Sequence, residues 1–427
     1  MDSQVNLKIH KLIDNEYFST IDQWLVPYFK PTTTGPTTTG YKLRNVGVVV
    51  SNDEIYAFLP HNVDKKKIGS AEVSKLIQVL TKFRKMSSAQ SSEEAESVIQ
   101  SNLFTIVEWL IEDFQQYGLY QKNEGRIALQ LSGKIHWSKT IMHVQPLIQK
   151  ERPVFVEFMR TSHVDQEDVL SYIHGTMIQR IANKFGILFY GFKFMYHGRD
   201  RHLSDSEMLV ILYQYRTRVN DERTKLLIGA LIKLINIGKD KQVLGITTEE
   251  FHFVWEKMVN QYFQNKSRLY QYLAKDQWNI ELGGHRITGS NPQVPDTLVE
   301  DKTSRKVHIV DAKYYDLTPV INCSGKGKRS VPLDWYSVVK QYFYDLSFDY
   351  KSSGLLQGNN WFIFPAWKMN YSVNMTSDSI YYVGSVSIKL PNYLEKKVVQ
   401  VALMPVFSLI DDFLADRVGD ISILGFK

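Results

Sequence analysis

The chain has 427 residues, more than a single hydrophobic core usually organises, so two or three domains are expected. Its 44% hydrophobic and 13% aromatic content excludes a disordered or fibrous protein. With 51 basic against 45 acidic residues the net charge is +6, compatible with a polyanionic partner but too small an excess to assign one. The single cysteine, Cys323, excludes a disulfide framework and a cysteine-based zinc site, and no neighbouring histidine would activate its thiol. The opening MDSQVNLKIHKLIDNEYF alternates charges and lacks the apolar stretch of a signal peptide. The longest apolar segment, LLIGALIKLINIG from Leu226, contains Lys233 and is too short to cross a bilayer. A soluble, cytoplasmic protein without membrane association is expected.

Residues 1–30 read as a helix-rich start. The tandem repeat Pro31-Thr-Thr-Thr-Gly35 and Pro36-Thr-Thr-Thr-Gly40 cannot build a core and reads as an exposed loop. YKLRNVGVVV and IYAFLP flank the polar Ser51-Asn-Asp-Glu54, the pattern of a β-hairpin. A Ser/Glu-rich stretch over 87–97 leads into SVIQSNLFTIVEWLIEDF, read as one long amphipathic helix. GRIALQL and GKIHWSKTI are predicted as strands meeting at Ser132-Gly133. PVFVEFM follows as a strand, DQEDVLSYIHGTMIQRIANKFG as a helix, and Asn220 to Ile237 as another helix ending near Gly238. No long-period repeat is present. The sequence thus predicts a mixed α/β N-terminal region over 1–245, with a possible internal break near 150 and no convergent catalytic set. Its expected role is DNA recognition or scaffolding.

At Thr247 the character changes. Thr247-Thr-Glu-Glu250 matches a capping box, and Phe251, Val254, Trp255, Met258, Val259 and Tyr262 then recur at helical spacing on one face. NIEL, QVPDTLV, KVHIVDAKYY, WFIF and YYVGSVSIKL read as strands, with the amphipathic helix DWYSVVKQYFYDL between the third and fourth. This order describes a compact α/β unit over 246–427.

The chemistry concentrates in one hairpin. Closed symmetrically about Thr303 and Ser304, it sets Asp296 across from Asp311, about 5 Å apart on one face. Lys313, two residues on, points to that same face because strand side chains alternate. Two adjacent carboxylates repel each other, and a divalent cation relieves the repulsion. Oxygen ligands of this kind suit Mg²⁺, with Mn²⁺ as a substitute. The metal would activate water and stabilise the phosphate while Lys313 orients or activates the nucleophile, which is phosphodiester hydrolysis. A solvated Asp pair with a lysine partner is the plainer alternative. Two neighbours favour the catalytic one: Asp311 ends the apolar run VHIV, where an unpaired acid is costly, and the following helix carries Gln341 and Tyr344 as Gln-x-x-Tyr.

Pro295-Asp296, Asp311-Ala312-Lys313 and the Gln341–Tyr344 helix together resemble the PD-(D/E)xK nuclease superfamily, in the branches that include McrC-like proteins. The resemblance implies a C-terminal nuclease domain with a central mixed sheet. It implies metal binding by Asp296, Asp311, the backbone carbonyl of Ala312 and a core-helix acid, for which Glu256 is the matching position. It also implies catalytic roles for Asp296, Asp311, Lys313 and Gln341. The segment Gly133 to Ile141, with His136 and Trp137, is similar to part of the LlaJI-type restriction endonucleases, and the hairpin over 46–60 is similar to the N-terminal module of McrC-like proteins.

The expected function is therefore metal-dependent cleavage of double-stranded DNA as a bacterial restriction endonuclease. Two alternatives stay open: a McrC-like nuclease subunit activated by a separate GTPase, and a non-catalytic DNA-binding subunit with a vestigial hairpin. Lys326, Lys328 and Arg329 in the Gly325–Arg329 loop, Arg199 and Arg201 in a second basic turn, and Tyr344 are the expected nucleic-acid contacts. No Walker-type loop is present, so a nucleotide-driven step would need a partner. A homodimer, or transient pairing on DNA, and a cognate methyltransferase complete the expected partners.

Overall fold

The computed structural model describes residues 8–33, 39–51, 54–88, 104–129, 134–149, 152–166, 169–189, 191–198, 201–239, 244–275, 278–282, 285–289, 294–315, 335–366, 375–377, 380–388 and 398–425. The architecture is mixed α/β with mixed sheets, as expected, but the chain divides differently. Leu103–Val243 contributes one compact unit, and Leu7–Asn102 together with Leu244–Lys427 forms the other. The expected single cut at 245 is thus corrected: the first hundred residues belong with the C-terminal part. Backbone pairing is the reason. Leu244–Thr248 is the edge strand of a four-stranded sheet whose order continues Val46–Ser51, Glu54–Leu59, Ile9–Ile13. All five residues of that edge strand are buried.

This pairing also overturns the capping box. Thr247 and Thr248 lie opposite Gly47 and Val46 in the ladder, so they cannot cap a helix. The helix begins at Phe251, and Thr248 instead accepts the Glu250 N–H on its hydroxyl at 3.0 Å. The helix-rich start is likewise corrected. Ile9–Ile13 is a strand running parallel to Glu54–Leu59, followed by the short strand Tyr17–Phe18 and a 3₁₀ turn over Gln23–Tyr28. The predicted Val46–Leu59 hairpin is present, with Ser51 opposite Glu54. Of the threonine repeat, Thr33 pairs with Thr39, and 34–38 lie outside the described residues.

The second sheet of this unit has six strands in the order Thr297–Asp301, Lys306–Ala312, Leu356–Ala366, Val399–Pro405, Ile380–Val386, Met375–Ser377. The two pairings at its centre are parallel and the rest antiparallel, so the sheet is mixed. The Phe251–Tyr262 helix buries the six residues its spacing singled out, Phe251, Val254, Trp255, Met258, Val259 and Tyr262. It and the Trp335–Ser347 helix both pack on the Lys306–Ala312 strand. Leu298, Val307, Ile309, Tyr344 and Phe348 share one core cluster, while Val338, Tyr342, Phe362, Phe364 and Leu403 fill another. The last strand and the Val406–Leu414 helix, unrecognised in the sequence, close this unit. Lys75 and Lys82 of the Ser70–Ser88 helix bind Asp411 and Asp416 at 2.8 and 2.6 Å.

In the other unit, helices Phe104–Tyr117, Val169–Phe185, Asp205–Arg218 and Glu222–Lys239 surround buried apolar faces. Arg223 grips the buried Asp113 through two bonds of 2.8 and 2.9 Å. The segment around His136 is not the expected strand pair. Lys134–Ile135 and Lys122–Leu129 pair with opposite edges of Met159–Gln166, not with each other. His136 caps a short helix, Trp137–His143, by accepting the Lys139 N–H, and Trp137 is 55% exposed. No described helix is long and apolar enough to cross a membrane.

Candidate active site

Three features of the sequence fix the local hairpin. Asp301 accepts the N–H groups of Thr303 and Ser304, and Arg305 takes a left-handed φ of 54°, which together close a tight turn. The flanking strands alternate so that Leu298 and Ile309 meet in the core. The resulting register pairs Thr297 with Val310, Leu298 with Ile309 and Asp301 with Lys306, the symmetric closure about Thr303 and Ser304 that the sequence predicts. Asp296, one residue before its strand, reaches the ladder by its side chain: its Oδ2 accepts the Ala312 N–H at 2.8 Å.

Asp311 is 3% exposed, and Lys313 donates its Nζ to Asp311 Oδ2 at 2.7 Å. Burial and the neighbouring Asp311 charge push the Asp296 carboxyl far above the usual range, with Glu256 adding to the effect and the Ala312 N–H opposing it. Without a cation, these surroundings favour the protonated form of the Asp296 carboxyl. Glu256, on the core helix, is also raised, first by burial and then by Asp311. Burial works against the Lys313 charge, but Asp311 beside it and Asp296 beyond it hold the ammonium above its ordinary range. Lys313 thus stands as a fixed positive charge in this arrangement rather than as a free base.

The backbone around the pair is tied from several sides. Gln341 is fully buried and donates Nε2 to the Ile309 carbonyl at 3.1 Å, so it anchors the Lys306–Ala312 strand, and this hydrogen bond goes to neither acid. Tyr344, expected at the nucleic acid, is 1% exposed and donates its hydroxyl to the Val294 carbonyl at 3.0 Å. That is a correction: it holds the Asp296 segment because its helix turns it into the core. Sequence reasoning missed Tyr270, whose hydroxyl lies 3.2 Å from both the Pro295 and Asp296 carbonyl oxygens. It also missed Asn265, which accepts the Leu298 N–H at 2.9 Å and contacts that hydroxyl. No periodicity marks either residue; only the fold brings them to Asp296.

The structure therefore brings together Asp296, Asp311, Ala312, Lys313 and, within electrostatic reach, Glu256. Arg201 belongs to the other unit, and Arg199, Lys326, Lys328, Arg329 and Cys323 lie outside the described residues. Among the described residues no three His, Cys, Asp or Glu side chains converge as a ready metal cage. What fits a hard divalent cation is the acid pair itself: the buried Asp311 and the half-buried Asp296, two neighbouring carboxylates whose mutual repulsion a cation relieves.

Comparison with known proteins bears on this geometry. Residues 45–388 match the LlaJI restriction endonuclease family, a span that includes the acid pair, Lys313 and the Gln341 helix. The chain belongs to the LlaJI restriction endonuclease family. Among its relatives is the component YdjA of the type II restriction enzyme BsuMI of Bacillus subtilis (strain 168), 23% identical over 348 residues, covering 75% of this chain and 72% of that protein. Similar solved structures include a half-complex of Thermococcus gammatolerans McrB AAA+ hexamers with bound McrC. It is 11% identical with a TM-score of 0.36, covering 96% of this chain and 99% of that one. A cryo-EM structure of the McrBC complex from the same organism has a TM-score of 0.24 at 11% identity, covering 58% and 85%. For this member of the family, the matched segment runs from the N-terminal hairpin through both units.

Proposed function

We propose that the chain is a cytoplasmic, divalent-metal-dependent endonuclease that hydrolyses phosphodiester bonds of double-stranded DNA within a restriction system, with a PD-(D/E)xK active site. The observation that carries the reading is the Asp296–Asp311 pair on one hairpin, with Asp296 bonded to the Ala312 N–H and Lys313 ion-paired to Asp311, inside the matched family segment. Asp296, Asp311 and the Ala312 carbonyl would hold Mg²⁺, or Mn²⁺ in its place, with Glu256 in reach. The ion supplies Lewis acidity and a lowered pKa of bound water. Asp296 would bind such an ion as the carboxylate. Lys313 keeps its charge and orients the attacking water, whose oxygen bonds to phosphorus as the leaving oxygen departs and whose proton passes to solvent. Gln341, Tyr344 and Tyr270 keep the Asp296 and Asp311 backbones in place, so they act as positioning residues.

The test is digestion of a defined plasmid by the purified chain with Mg²⁺, followed by sequencing of the ends. Asp311→Ala and Lys313→Ala should each lower cleavage by roughly 1,000-fold or more while DNA binding in Ca²⁺ persists. Variants that stay folded by circular dichroism and cut within about tenfold of wild type would sink the assignment.

A second reading has one observation in its favour: the relative is named a component of BsuMI, so its family includes members that work with other subunits. On that reading the chain is the nuclease subunit of a multi-part system, with a GTPase the candidate activator and a methyltransferase guarding the host. Wild-type protein that binds but cuts only after a partner is added would favour it. One acid pair serves one strand at a time, so two copies pairing on DNA is the proposed route to a double-strand break. Excess Asp311→Ala protein should then accumulate nicked circles. A second cut unaffected by the inactive protein would exclude pairing.

A further inference from the structure

A charge count around the acid pair leaves one negative charge unmet. Lys257 acts on Glu256 from the next position of its helix, but the set that meets at the acid pair is Asp296, Asp311 and Glu256 with Lys313, the cation ion-paired to Asp311. With all three acids ionised, that set carries two net negative charges, which one divalent cation cancels. A phosphodiester entering the site brings a further negative charge, and its transition state more. The Lys313 ammonium is already committed to Asp311 at 2.7 Å and is largely buried, so it is poorly placed to neutralise the newcomer.

The Trp335–Ser347 helix supplies a second ammonium at this place. Lys340 immediately precedes Gln341, which is bonded to Ile309, and stands four residues before Tyr344, which is bonded to Val294. Both neighbours are fastened to the active-site hairpin, so the position of Lys340 is set by the same ties. Its Nζ lies 5.4 Å from the Tyr344 ring centroid, a cation–π contact that holds the half-buried side chain against that ring. It acts electrostatically on both Glu256 and Lys313, so it stands within reach of the acid cluster. No ion pair joins Lys340 to a described carboxylate, whereas Lys313 has one.

We infer that Lys340 is a catalytic residue of this site, binding a non-bridging oxygen of the scissile phosphate opposite the charge that Lys313 already spends on Asp311. The inference rests on the nuclease reading above and adds a residue to it. Lys340 donates no proton to the leaving group in this role; it holds phosphate charge as the water–phosphorus bond forms. A lysine serves well, because a compact point charge on a flexible stem can follow the phosphate through the reaction.

Lys340→Gln, Lys340→Met and Lys340→Arg should be compared with wild type in DNA cleavage with Mg²⁺ and in DNA binding with Ca²⁺ across salt concentrations. Removing the charge should lower kcat by about 100-fold with KM little changed. It should also reduce the slope of log affinity against log salt by about one. Lys340→Arg should restore most of both. Lys340→Gln protein that cuts within about threefold of wild type with an unchanged salt slope would overturn the inference. So would a loss of activity that arginine fails to restore while the slope stays constant, since that pattern belongs to packing. The salt slope needs no cleavage, which separates the two claims. Wild type that binds DNA but never cuts it removes the nuclease reading, whereas wild type that cuts alongside an equally active Lys340→Gln removes this one alone.

Discussion

The raised Asp296 carboxyl links the site to pH in two ways. Its folded-state pKa lies above the unfolded value, so the metal-free protein gains stability from it at low pH and loses that gain as pH rises through the folded pKa. A cation that displaces the proton reverses the trend. Mg²⁺ should therefore raise the melting temperature more at pH 8.5 than at pH 6.5. Calorimetry in buffers of different ionisation enthalpy should show about one proton released per ion bound. A pH-independent Mg²⁺ affinity would contradict the raised carboxyl. Two histidines carry the opposite sign. Buried His174 and His308 each accept a backbone N–H on Nδ1, from Tyr120 and Asn359 at 3.0 Å, so each must be neutral when folded. Burial lowers both to about 4 from an ordinary 6.5. Their contribution is present above pH 6.5 and lost between there and pH 4, at most roughly 3 kcal/mol each. Urea melts over that range should show the loss, and His308→Gln should flatten the slope by one proton's worth. An unchanged slope would mean that His308 already titrates freely.

At the scale of elements, the Lys306–Ala312 strand pairs with its parallel neighbour through an irregularity. Val307 pairs with Gln357 and Ile309 with Asn360, so two residues, Gly358 and Asn359, stand opposite His308 alone. The extra residue lets the Asn359 N–H bond to the His308 ring, and Gly358 passes so close that an added Cβ would lie 2.5 Å from the Val307 carbonyl oxygen. Gly358→Ala should cost about 2 kcal/mol or more and depress cleavage with it, read by denaturant melts and plasmid digestion. Wild-type stability would show that the strand shifts freely. The Asp296 hairpin was legible beforehand because everything that sets its register is local: a polar turn, period-two alternation, and two acids equidistant from Thr303 and Ser304. The Phe251–Tyr262 helix was legible for the same reason. What escaped was decided by distant partners. Ile9–Ile13 is a strand only because Glu54–Leu59 runs beside it, and Thr247 is no cap only because Gly47 lies across from it. Tyr270 and Lys340 carry no pattern of their own, and their roles come from where helix phase and loop path leave them.

For the whole molecule, the decisive fact is that the unit bearing the acid pair is built from two separated stretches, with Leu103–Val243 inserted between them. A fragment beginning at 246 loses Leu244 and Gly245 from the edge strand and all three other strands of the sheet it completes, so it should not fold cooperatively. A chain in which 103–243 are replaced by a flexible Gly/Ser linker should fold and melt in one transition. Circular dichroism and urea melts of the two proteins decide this, and a well-folded 246–427 fragment would refute it. The same arrangement has a consequence during translation. Val46–Ser51 leaves the ribosome long before its partner Leu244–Thr248 is made, and a bare hydrophobic strand edge invites misassociation until then. The six-stranded sheet waits longer still. Leu356–Ala366 gains its second neighbour only when Val399–Pro405 emerges, close to the end of the chain. The acid pair has been synthesised by then but lacks the finished sheet that holds it. A chain stalled before Val399–Pro405 emerges therefore holds the acid pair on a sheet whose central strand still lacks its second neighbour.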